Sequence, residues 1–256
     1  MNTEVIRSGP EPRVSCPFEG RNGFLQSEGR LHLVADWDDV AFMNFRIASG
    51  RLQPFVPFPL EICEGSAWVS LVAFTMRDMR PSVGGRIGRM LFKPFRIQRF
   101  LNVRTYVKLG EESGIHFIAE WISDWFNARL DPTLYGPLYR LGRLSHRCGE
   151  SIICGNIMAE EREFAFDCNW VPDEMGSCSI PRADSCWNVT RHTIQPEAWG
   201  WHEPWEQTEA ELKIHSDRLP LATFPWWERV EYAGCRHSPG AKGVLMGRPR
   251  SVIPPR

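Results

Sequence analysis

The chain has 256 residues, 43% hydrophobic and 24% charged, with a formal net charge of -1. This is ordinary globular composition, enough for one large β or α/β domain or two small ones. Near-neutral balance supplies no global field toward nucleic acid or membrane, and no apolar run reaches the ~20 residues of a membrane helix. Residues 1–30 are polar and glycine/proline-rich with no apolar signal-peptide core, so a cytoplasmic location is expected. Eight cysteines are spread without a Cys-x-x-Cys and are expected to be reduced thiols. Cys168, Cys178 and Cys186 near His192 and His202 match no known ligand spacing, so no metal and no cofactor are expected.

In chain order, residues 1–30 read as a flexible arm, 31–250 as a single domain and 251–256 as a tail. Residues 31–35 are apolar and 36–39 turn-like. Alternation over 40–47 predicts a half-buried strand, with Ala41, Met43, Phe45 and Ile47 on one face. Residues 49–56 predict a short helix stopped by Pro57. Residues 60–63 and 67–76 predict paired strands around Glu64-Gly65-Ser66. Residues 67–74 are almost continuously apolar, as in a strand covered on both faces. Residues 78–93 predict a basic loop, within a region where Arg77, Arg80, Arg86, Arg89, Lys93, Arg96, Arg99 and Arg104 crowd around Asp78 alone.

Residues 102–109 and 115–122 predict a hairpin, and 124–131 a short helix. Residues 144–148, 151–158 and 163–168 predict strands, 172–184 a loop, and 186–192, 198–201 and 231–236 further strands. Residues 206–214 are amphipathic, with Glu209 and Lys213 spaced for a helix but a strand left open. Residues 240–256 predict a basic tail. Many short strands and few helices give a mainly β, β-rich α+β fold.

The strand from Asn102 to Lys108 has two unlike faces: Val103, Thr105 and Val107 against Asn102, Arg104, Tyr106 and Lys108. Several stretches around it resemble the YqjF-like family of uncharacterised bacterial proteins. They are Trp37-Asp38-Asp39, the run from Gly65 to Phe74, Asn102-Val103-Arg104-Thr105-Tyr106-Val107, the string from Gly136 to Arg140, and Trp201-His202-Glu203-Pro204-Trp205. The resemblance covers about residues 31–250. It implies an acetoacetate-decarboxylase-like fold: a curved antiparallel sheet closing into a cone-like double barrel with a few short helices. It also implies that the polar face of the central strand lines a cavity.

The decarboxylase works through a lysine Schiff base. At the matching place here, after Gly136-Pro137-Leu138, stand Tyr139 and Arg140, and a guanidinium is not an amine nucleophile. Lys93, Lys108, Lys213 and Lys242 are the only lysines, and Lys108 alone shares the polar strand face. Classical decarboxylation is therefore disfavoured.

The expected ligand is a small organic acid or similar metabolite. Its candidate binding residues are Asn102, Arg104, Tyr106, Tyr139, Arg140, His202 and Glu203. Arg104 can grip a carboxylate in bidentate fashion, or pair with Glu120 on the return strand. His202 and Glu203, among Trp199, Trp201 and Trp205, offer acid/base apparatus or a packed aromatic cluster. Two alternatives stand beside binding. One is an enzyme acting on a carboxylated or carbonyl substrate without a Schiff base. The other is an interaction protein recruiting an anionic partner through residues 77–99. No nucleic-acid or membrane partner is expected, and a homodimer is permitted.

Overall fold

Period-two patterning dominates the chain, and the computed structural model realises it as thirteen strands in one sheet. The structure describes residues 33–82, 84–93, 96–109, 112–123, 139–171, 187–190, 193–196, 206–246 and 250–251. The expected flexible arm, the helix at 124–131, the loop at 172–184 and the strand at 198–201 lie outside the described residues.

The strands are β1 (Leu33–Ile47), β2 (Ala67–Pro81), β3 (Ile97–Leu109), β4 (Glu112–Ile122), β5 (Tyr139–Leu141), β6 (Arg143–Cys148), β7 (Ile152–Ala159), β8 (Arg162–Trp170), β9 (Trp187–Thr190), β10 (Thr193–Pro196), β11 (Thr208–Ser216), β12 (Glu231–Met246) and β13 (Arg250–Ser251). Among the described residues three short α-helices accompany them: α1 (Ser49–Leu52), α2 (Gly85–Leu91) and α3 (Arg218–Thr223). Among the described residues no helix is long and apolar enough to cross a membrane.

The sheet order is β13-β10-β9-β4-β3-β2-β1-β12-β11-β8-β7-β6, with β5 beside β4. The sheet is mixed: β5 and β9 both join β4 in parallel, and the other pairings are antiparallel. The expected mainly β fold is present, with its largely antiparallel sheet turned parallel at these two places, where non-hairpin connections bring the chain back to β4.

The sheet curls on itself. Thr75 Oγ1 of β2 lies 3.4 Å from His146 Nδ1 of β6, the strand at the far end of the order. Gly142, between β5 and β6, donates its N–H to the Ile122 carbonyl of β4 at 3.1 Å. The chain thus runs from the β4 edge directly into β6, and the curl encloses one face. That face carries the main core: Ala41, Met43 and Phe45 of β1, Leu71 and Ala73 of β2, Leu101 and Val103 of β3, with Ile157, Phe164 and Phe166 of β7 and β8. Beyond α3, Trp227 packs edge-on against Phe45 at 5.0 Å and Phe224 against Trp121 at 6.0 Å.

The opposite face of the central strands is buried too. Val40, Phe42, Val72, Phe74, Phe100 and Ile122 form a second cluster, and Trp68, Tyr106 and Ile115 a third. Burial on both sides accounts for the apolar run in β2, as its composition predicts.

Three local expectations are corrected. Residues 36–39 are not a turn between segments. They are bulged positions inside one strand, with Asp39 at φ 54° and register shifts on both sides. The acidic side chains there are used as ties: Asp36 accepts the Gly243 N–H at 2.9 Å, and Asp38 holds Arg77 at 2.9 Å and Lys242. Residues 60–63 are not a strand, since only isolated bridges form, Leu60 to Val107 and Cys63 to Ser66. The described part of the basic tail is sheet, because β12 runs on to Met246 along β1. The amphipathic stretch 206–214, open to helix or strand from its sequence, enters strand β11 at Thr208.

The β1–β12 contact depends on Gly240, which sits at φ +100° opposite Asp38. A Cβ there would stand 1.8 Å from the Trp37 carbonyl oxygen. Gly240→Ala is expected to destabilise the fold by roughly 1–3 kcal/mol or more through backbone strain and overpacking. Gly50→Ala, with no atom within 4 Å of the added Cβ, should be neutral or slightly stabilising. Denaturant midpoints of the two variants check this.

Candidate functional site

Alternation along β3 sends Phe100, Asn102, Arg104 and Tyr106 to the face opposite Val103 and Val107. The register then aligns one row across six strands: Arg236 of β12, Phe42 of β1, Val72 of β2, Asn102 of β3, Glu120 of β4 and Tyr139 of β5. The next row sets Asn44 beside Ser70 and Ser70 beside Arg104. Asn44, Ser70, Asn102, Glu120 and Arg236 are all buried. A polar belt thus crosses a sheet face that is otherwise apolar.

Part of this belt is fully wired. The Ser70 hydroxyl donates to Asn44 Oδ1 at 2.6 Å. Its only proton is thereby used, so the Tyr106 hydroxyl, 2.9 Å away, donates to Ser70 Oγ. Asn44 Nδ2 donates to the Phe42 carbonyl at 3.3 Å. Arg236 reaches Glu209 at 3.4 Å and Gln207 at 3.5 Å.

Arg104 is the exception. Its guanidinium lies over the Phe42 ring, 5.6 Å from the centroid, a cation–π contact. Its Nε is buried with no hydrogen-bond partner among the described residues, and Asn102 Oδ1 is in the same condition. The register does not set Arg104 opposite Glu120. Asn102 faces Glu120 and Val103 faces Ala119, and past a bulge that skips Ile118 Arg104 faces Phe117.

Tyr139 and Arg140 do not act together. As neighbours on β5 they point to opposite faces. Tyr139 pairs with Glu120 and meets Phe100 edge-on at 6.2 Å, joining the belt. Arg140 pairs with Trp121 and lies over its ring at 5.6 Å, on the side of the main core. Arg140 therefore stands on the face opposite Tyr139 and the belt. Lys108 is exposed at the end of the row. His202 and Glu203, with the tryptophans around them, lie outside the described residues.

The basic stretch is partly neutralised from within. Arg77 is held by Asp38 at 2.9 Å, while Asp78 takes Arg80 at 3.2 Å and Arg96 at 3.0 Å. Residues 85–91 form α2 rather than loop. Cys168 and Cys235 are buried with sulfurs 3.4 Å apart, and Cys178 and Cys186 lie outside the described residues. Among the described residues no group of three or more His, Cys, Asp or Glu side chains is placed to hold a metal ion.

Sequence reasoning did not connect Asn44 to Ser70. The signal was present: Ser70 is the one hydroxyl inside the apolar run from Ala67 to Phe74. A lone polar residue in a doubly covered strand needs a partner.

The profile of the DUF2071 family, described as an uncharacterized conserved protein, matches residues 34–228. No functionally curated protein matches the sequence. Among solved structures, the chain is similar to an acetoacetate decarboxylase-like enzyme from Sphingomonas wittichii RW1, with 13% identity and a TM-score of 0.62 over 88% of this chain and 94% of that one. It is similar to acetoacetate decarboxylase from Legionella pneumophila subsp. pneumophila str. Philadelphia 1, with 11% identity and a TM-score of 0.58 over 88% of each chain. The enduracididine biosynthesis enzyme MppR, complexed with pyruvate, matches at 11% identity and a TM-score of 0.59 over 88% of this chain and 91% of that one. At such identities the likeness fixes the fold and not the chemistry.

Ser70→Ala should destabilise the protein by about 1–3 kcal/mol, because it strands the Tyr106 hydroxyl and Asn44 Oδ1 in the interior. Tyr106→Phe should cost less, about 1 kcal/mol, since Ser70 keeps Asn44. Chemical denaturation of both single variants and the double variant checks the coupling. The double variant is expected to lose less than the sum.

Proposed function

The chain belongs to the DUF2071 family, and we propose that it binds a small organic carboxylate against the buried polar belt of β3. The observation that carries the reading is Arg104. A buried guanidinium N–H without a partner is costly, and a carboxylate oxygen is the acceptor that best relieves it. Asn102 Oδ1 beside it calls for a donor, which favours an acid that also carries a hydroxyl or amino group. Tyr106, fixed by Ser70 and Asn44, and Tyr139 on β5 would border the ligand. A fold neighbour complexed with pyruvate, a small keto acid, supports this class of ligand.

Schiff-base chemistry does not suit the chain. All four of its lysines, Lys93, Lys108, Lys213 and Lys242, are exposed. A Schiff-base lysine needs desolvation or a neighbouring cation to keep its amine neutral, and solvent denies it the first.

Thermal-shift titration with hydroxy, amino and keto acids tests the proposal. At a hundredfold excess over Kd, a true ligand stabilises the native state by about 2.7 kcal/mol. Arg104→Gln should abolish the shift while Lys108→Gln retains it. An Arg104→Gln variant that responds like the wild type, or a panel in which no acid stabilises the protein, would overturn the reading. Borohydride trapping with pyruvate should give no adduct.

A further inference from the structure

The enclosed face changes character at one end. One step along the strands beyond Ala73 and Leu101, apolar packing gives way to Thr75 of β2 and Arg99 of β3, which pair across the sheet. His146 and Cys148 of β6 close over them, with His146 Nδ1 3.4 Å from Thr75 Oγ1. Asp39, at the bulge of β1, hydrogen-bonds the Cys148 thiol. His237 of β12 completes the rim, 6% exposed and stacked on Trp170 at 3.6 Å with the rings 10° apart.

Three nitrogens at this mouth are buried with no hydrogen-bond partner among the described residues: Arg99 Nε, His146 Nε2 and His237 Nε2. Three such nitrogens on residues gathered at one end of the enclosed face describe a ligand's contacts. We propose that the mouth of the curled sheet is a second site, separate from the Arg104 belt, for a small oxyanion held by Arg99 and His146 with His237 on the opposite wall.

The donor pattern favours an anion. When the Thr75 hydroxyl donates to His146 Nδ1, Nε2 carries the proton and becomes a second donor beside Arg99 Nε. Arg77 is not available, since Asp38 holds it at 2.9 Å. Asp39 is the opposing charge, and its carboxylate is turned to the Cys148 thiol. Partial burial first, then that hydrogen bond and the Asp39 charge, push the thiol up to about 12, so it stays protonated and keeps donating.

Both imidazoles are neutral in the empty site. Burial, followed by the Arg99 charge, lowers His146 to about 4; burial lowers His237 to about 4 against the opposing pull of Asp39. A bound anion raises both values, so binding takes up protons and strengthens as pH falls toward the free values of about 4. The groups facing His146 that shape this response are Arg99, Thr75, Cys148 and, through it, Asp39.

Imidazole NMR of the full chain tests the proposal, with inorganic phosphate and acetate titrated in parallel to tens of millimolar. Saturable shifts at His146 and His237 with at least one probe are expected, and the stronger probe identifies the anion class. Affinity for phosphate should rise as pH is lowered from neutrality toward about 4. His146→Gln and Arg99→Gln should each weaken binding by about tenfold or more, with the folded far-UV spectrum checked. Thr75→Val, which leaves the charges in place, gives a second reading and should weaken binding by a smaller factor. Arg104→Gln should leave the response unchanged. Absence of any shift with either probe overturns the proposal. So does loss of the response in Arg104→Gln, which would merge the two faces into one site.

Discussion

Burial of the central strands on both faces is the constraint on which the rest depends. β1, β2 and β3 have an apolar core on the enclosed side and further clusters on the other. A polar side chain on either face has no routine access to water, so it must find a partner in the protein or in a ligand. Asn44, Ser70 and Tyr106 find one another. Arg104 Nε and Asn102 Oδ1 do not, within the described residues. The contrast between wired and unwired groups on one belt separates scaffold from site.

The same constraint limits what the fold can imply. The chain shares an architecture with acetoacetate-decarboxylase-like proteins at 11–13% identity. A Schiff-base lysine is kept neutral by desolvation or a neighbouring cation, and each lysine of this chain is exposed. At the position aligned by the Gly-Pro string the chain places a tyrosine on the belt and an arginine on the core side. One fold hosts unrelated activities, so the shared architecture does not carry a reaction over to this chain.

Much of this was legible in the sequence wherever the argument was local. The two faces of β3 follow from alternation at Asn102, Arg104 and Tyr106, and the doubly buried β2 follows from its apolar run. What was illegible depends on pairing. The register that sets Asn102 rather than Arg104 opposite Glu120 is a property of β3 and β4 together, and neither strand's pattern shows it. Asp36 and Asp38 looked like turn residues because their bonds to Gly243 and Lys242 span more than 200 positions. Arg140 was grouped with Tyr139 by adjacency, and only the recognition of β5 as a strand sends the two apart. The mouth cluster joins residues 39, 75, 99, 146 and 237, which no window along the chain contains. Its existence depends on β6 returning to β2.

The central claim is that the Arg104 guanidinium is a buried donor waiting for an oxyanion. NMR detection of the Arg104 Nε–H, assigned by its disappearance in Arg104→Lys, addresses it directly. The account predicts a slowly exchanging resonance that moves downfield and gains further protection when a small hydroxy or amino acid saturates the protein. A resonance exchanging as fast as those of surface arginines, and indifferent to every such acid, would contradict it.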